Sequence, residues 1–119
     1  MKTKILVMQR HAPYGASLAR DGLDFILTAA AYEQDLSVLF SGDGVFQLLP
    51  EQKADVIHAK PQDKALEILP LYDVEQLYVV QEDLLERNIS ELSLCCPVSI
   101  ISRQQAKTLI AEQDKVIGF

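Results

Sequence analysis

The sequence predicts a single α/β domain, a three-layer unit over residues 1–119 with a mainly parallel five-stranded sheet. Three observations predict it. Short apolar, β-branched runs alternate with segments of helical period, the order expected of βαβ units. The first run is nearly continuous in apolar residues, as a strand covered on both faces should be. At 119 residues the chain is long enough for one core and too short for two.

The elements follow in order. Lys4-Ile5-Leu6-Val7-Met8 is the first predicted strand, and Pro13 and Gly15 punctuate the loop after it. A helix is predicted from about Ser17 to Gln34, with Ser17 as N-cap and Ala19, Leu23, Ile26, Leu27 and Ala30 on one face. Gly22 and Ala29 are small enough to allow close approach. Leu36–Phe40 is the second strand, broken by Ser41-Gly42-Asp43-Gly44. Val45–Leu49 reads as a short helical turn or loop stopped by Pro50. Pro61 opens the next helix, and Pro70 ends or kinks it. Gln76–Val80 is the third strand, and Glu82–Arg87 a short helix stopped by Asn88. Pro97–Ile101 is the fourth strand. Ser102 with Gln105 matches a capping box opening a helix with Ala106, Leu109, Ile110 and Gln113 on its stripe. Lys115–Phe119 is the last strand. Sites on such sheets gather at the carboxyl ends of strands, which selects the loops 10–16, 41–48 and 81–83.

Charge and composition narrow the function. Seventeen acids against eleven Lys and Arg leave a net charge of −6, which repels a phosphate backbone and argues against a direct grip on nucleic acid. The two cysteines are adjacent and form no disulfide scaffold. The apolar run Ile5–Met8 is too short for a leader or a membrane span, so a cytoplasmic protein is expected, with no membrane association.

Several residues invite a chemical role. Arg10-His11 after the first strand resembles the loop of histidine phosphatases, where a histidine takes the phosphoryl group; this makes a small phosphotransfer enzyme the alternative function. Such a site needs a second histidine and more arginines, yet the sequence offers only His58 and the scattered Arg20, Arg87 and Arg103. Cys95-Cys96 suits redox or sulfur chemistry only if a thiol pKa is lowered, and no Lys or Arg lies between Arg87 and Arg103. Two partly buried small hydrophobes are the plainer reading. Ser41–Gly44 lacks P-loop spacing and reads as a turn whose glycines accept unusual φ, with Asp43 as a possible cap. The carboxylate pairs Asp21/Asp24 and Glu82/Asp83 suit general acid/base work, but the first lies in the first turns of a helix, where the dipole favours acids, and a solvated helix start is the plainer reading. No catalytic residue, metal ligand set or cofactor site is expected. Val45-Phe46-Gln47-Leu48-Leu49-Pro50 is too apolar for an ordinary loop, so it either folds onto the core or meets a partner. Phe46, Leu48 and Leu49, with Tyr14 on the neighbouring loop, are the candidate partner contacts.

Four stretches together resemble the TusC/DsrF family over nearly the whole chain. They are Ala12-Pro13-Tyr14-Gly15, Arg20-Asp21-Gly22-Leu23-Asp24, Asp43-Gly44-Val45-Phe46-Gln47-Leu48-Leu49-Pro50 and Leu71-Tyr72-Asp73-Val74-Glu75-Gln76. The resemblance implies a DsrE/F-like fold of Rossmann-like layering. It implies a subunit of a sulfur-relay heterohexamer holding two copies each of this chain and of TusB-like and TusD-like partners. That complex takes persulfide sulfur from a TusA-like donor and passes it through a TusE-like acceptor towards 2-thiolation of the tRNA wobble uridine. The sulfur-carrying cysteine belongs to the TusD-like subunit, just beyond a central strand. The comparable stretch here, Val79-Val80-Gln81-Glu82-Asp83, has no cysteine. The resemblance therefore implies an accessory subunit with no catalytic residue of its own.

Overall fold

The computed structural model describes residues 3–13, 17–32, 35–49 and 62–119, the side chains of 62–64 excepted. Its strands are β1 (Lys4–Gln9), β2 (Asp35–Phe40), β3 (Gln76–Val80), β4 (Ser99–Ile101) and β5 (Lys115–Gly118). Its helices are α1 (Leu18–Ala30), α2 (Gln62–Glu67), α3 (Gln81–Glu86) and α4 (Arg103–Ala111). Short 3-10 segments span Gly42–Leu48, Leu69–Tyr72 and Glu91–Ser93. The five strands form one sheet in the order β4-β3-β2-β1-β5, and every pairing is parallel.

The period-two alternation of the strands sets the layers. Ile5, Val7, Leu36, Val38, Phe40, Leu77 and Val79 share one face, packed against Leu23 and Ile26 of α1, Leu66 of α2 and Leu84 of α3. Leu6, Leu39 and Val80 point to the other face, where Ala106, Leu109 and Ile110 of α4 meet them. Burying a leucine such as Leu6 contributes about 2 kcal/mol, and its register opposite Ser37 keeps it under α4 rather than α1.

Where expectation and structure differ, the causes are local. The first helix stops at Ala30, short of Gln34, because β2 already pairs at Asp35, whose N–H reaches the Thr3 carbonyl at 3.2 Å. Ser17 sits at the N-cap position but its backbone is helical and its side chain caps no backbone N–H. Its hydroxyl donates instead to Asp21 Oδ2 at 3.1 Å. The fourth strand begins at Ser99 rather than Pro97; Pro97 has no N–H for a ladder. Asn88 ends α3 in the left-handed region, at φ 55°. The Ser102/Gln105 capping box forms in both directions. Pro50, His58 and Pro61 lie outside the described residues.

Candidate functional site

Among the described residues, helices leave this sheet on opposite faces at one pair of neighbouring carboxyl ends. After β3 the chain turns into α3 on the α1 face, and after β4 into α4 on the other. Such a divergence opens the crevice where ligands of α/β sheets usually bind. Here hydrogen bonds tie the starts of the two helices together across it. Glu82 accepts the Arg103 N–H at the start of α4 through both carboxylate oxygens, at 2.9 and 3.0 Å. Asp83 Oδ1 takes Arg103 Nη2 at 2.6 Å, and Asp83 Oδ2 accepts the Gly42 N–H at 2.8 Å. The Asp83 side chain is only 10% exposed, so its charge is offset by these donors rather than by water. Arg87, one turn on, donates to the Asp83 carbonyl and reaches Asp43 Oδ1 at 3.1 Å. Asp43 thus pairs with an arginine instead of capping the 42–48 segment. Arg87 and Arg103, scattered in the sequence, converge on one carboxylate.

The 42–48 segment closes over the ends of β1 and β2. Gly42 takes φ 53°, the left-handed region glycine favours. Gly44 has a different reason: a Cβ there would lie 1.9 Å from the Gln9 carbonyl oxygen. Gln9 and Gln47 are fully buried. The Gln47 amide donates to the His11 carbonyl at 2.9 Å, and Gln9 Nε2 to the Ala19 carbonyl at 3.3 Å. Gly22 leaves the room this needs, since a Cβ would sit 2.6 Å from the Gln9 amide. Among the candidate contacts, Phe46 and Leu49 are half-buried. Leu48 is fully buried in the core, which corrects its assignment as a partner contact: the tight turn swings it inward. Tyr14 lies outside the described residues.

The His11 side chain is exposed, and among the described residues Arg87 and Arg103 bond to acids and none to His11. The phosphotransfer alternative gains no support. Among the described residues no group of three or more His, Cys, Asp and Glu is placed to hold a metal ion. No helix among them is long and apolar enough to cross a membrane.

The cysteines lie at the opposite edge of the sheet, beside Leu77 at the start of β3. They line a cavity of about 280 Å³ with Glu67, Pro70, Glu75, Leu77 and Pro97. The Cys95 N–H donates to the Leu48 carbonyl at 2.7 Å. The Cys95 thiol donates to Cys96 Sγ at 3.6 Å. That hydrogen bond lowers the Cys96 pKa from its ordinary value, against burial and the Glu67 carboxylate, which push it up.

The DsrE/DsrF-like family model matches residues 3–119. This chain belongs to the DsrE/DsrF-like family. Within that family it is 34% identical to the TusC homolog of Vibrio parahaemolyticus, over 98% of this chain and 99% of the relative. It is also 34% identical to the TusC protein of Buchnera aphidicola, over 98% of both chains. The TusC resemblance read from the four sequence stretches holds. The crystal structure of the ychN protein from E. coli superposes with a TM-score of 0.86 at 26% identity, covering 98% of this chain and 99% of that one. The DsrE/F-like fold is therefore shown both by sequence and by shape.

For a DsrE/DsrF-like chain the informative feature is the crevice that these hydrogen bonds bridge. Its acids were visible in the sequence as Glu82-Asp83, but as solvated helix residues. Only the Asp83–Arg87 spacing of four hinted at a pair; Arg103 lies twenty residues away in sequence.

Proposed function

We propose that this chain is an accessory, non-carrying subunit of a sulfur-relay complex. In this reading it assembles with TusB-like and TusD-like subunits, two copies of each, in the cytoplasm. The complex passes persulfide sulfur from a TusA-like donor to a TusE-like acceptor, towards 2-thiolation of the tRNA wobble uridine. Full-length similarity to TusC proteins supports the relay role. One observation supports the accessory part: the crevice beyond β3 and β4 holds Glu82 and Asp83, both accepting from Arg103, and no thiol. A sulfur acceptor there needs a thiol, is helped by a nearby cation, and would find Arg103 already committed to Asp83.

Co-expression with the two partner subunits followed by sizing tests the assembly. The expected result is co-elution in one complex; a chain that elutes alone overturns it. Feeding the complex with a persulfide donor tests the second part. Added sulfur should appear on a partner cysteine and not on this chain during turnover.

A further inference from the structure

We propose that Cys95 and Cys96 form a thiol-exchange site for small amine-bearing disulfides, with Cys96 attacking and Cys95 resolving the adduct. The proposal stands on the cysteine cavity and is independent of the relay role. Three observations carry it. First, both thiols line one cavity of about 280 Å³, room for half of a small disulfide. Second, the sulfurs are 3.6 Å apart with the Cys95 thiol donating, so the two are already paired with a defined polarity. Third, the described lining holds the carboxylates Glu67 and Glu75 and no cation, against a wall of Pro70, Leu77 and Pro97. That lining attracts an ammonium group and repels a carboxylate. The lowered Cys96 pKa agrees with the assigned order of attack.

The chemistry balances with the disulfide as oxidant. The Cys96 thiolate attacks one sulfur of R–S–S–R, forming Cys96–S–S–R and releasing R–S⁻. The Cys95 thiol then attacks the Cys96 sulfur, its proton leaves with the second R–S, and a Cys95–Cys96 disulfide remains. Two protein thiols are oxidised and one small disulfide is reduced to two thiols. A bond between adjacent residues closes a strained ring, so the closed pair is readily reduced again.

The test uses the full chain with three probes: cystamine (cationic), 2-hydroxyethyl disulfide (neutral) and glutathione disulfide (anionic), followed by intact mass. Wild type should lose two hydrogens and keep no adduct. Cys95→Ser should stop at the mixed disulfide on Cys96, and Cys96→Ser should react ~10-fold more slowly or less. Cystamine should react fastest and glutathione disulfide slowest, with the gap narrowing in salt. A reversed order, a wild-type chain that retains the adduct, or a Cys96→Ser variant as fast as Cys95→Ser would each overturn the proposal. If either serine variant fails to fold, the wild-type product mass and the order of the probes decide alone.

Discussion

The two edges of the sheet handle charge in opposite ways. At the carboxyl edge, Asp83 is buried and answered by Arg103, Arg87 and the Gly42 N–H. At the amino edge, two carboxylates and two thiols share an apolar cavity whose described lining holds no cation. At the first edge the buried Asp83 carboxylate has a donor on each oxygen, Arg103 on one and the Gly42 N–H on the other. At the second, a polarised thiol pair faces open volume. A crevice in the usual place for a site can thus be structural, while a cavity away from that place retains chemical capacity.

The contrast can be broken at several points. The largest effect is expected at the carboxyl edge from Gly44→Ala. Its Cβ has no space above the Gln9 carbonyl, so urea denaturation should show a loss of about 3 kcal/mol. Asp83→Ala comes next. It strands the Gly42 N–H and leaves the Arg103 guanidinium, among the described residues, only the distant Glu86 carboxylate, at 3.9 Å, and should cost about 2 kcal/mol in the same assay. Asp83→Asn, which still accepts from Gly42, should cost less. Phe46→Ala asks what the segment between the two edges does. It should weaken co-purification with the proposed partners by roughly 2 kcal/mol while the lone chain keeps its circular dichroism; an unfolded chain would place Phe46 in the core. Ser102→Ala removes one half of the α4 capping box and should lower stability by about 1 kcal/mol.

The smallest effect concerns the amino edge and pH. Alkylation of Cys96 should reach half its maximal rate at a lower pH than an ordinary thiol, because the Cys95 hydrogen bond favours the thiolate. In Cys95→Ala that bond is gone, and burial and Glu67 should move the midpoint upward. The sign for stability follows. A thiol whose folded pKa is lowered adds stability above its unfolded pKa and loses it as pH falls through the folded value.

Much of this was legible from sequence where local rules suffice. Gln76–Val80 forms a strand over the predicted residues because it is a short run dominated by apolar, β-branched and aromatic side chains, with Leu77, Val79 and Val80 buried. The Ser102/Gln105 box needs only a spacing of three. What escaped depends on contacts distant in sequence. Asp83 meets Arg103 across twenty positions, and no periodicity announces it. Gly44 reads in sequence as a turn glycine, whereas the structure requires it because a neighbouring carbonyl occupies the space a side chain would take. Leu48 reads as a contact residue beside Phe46, but the 3-10 turn buries Leu48 fully and leaves Phe46 half-buried.

The segment from Gly42 to Leu48 is fastened at both ends, by Asp83 to its first N–H and by Cys95 to its last carbonyl. It behaves as a strut rather than a flap. A partner of the proposed kind, docking against Phe46 and Leu49, would therefore meet a shape set when the chain folds, and the entropy of immobilising that stretch would not be charged to the encounter.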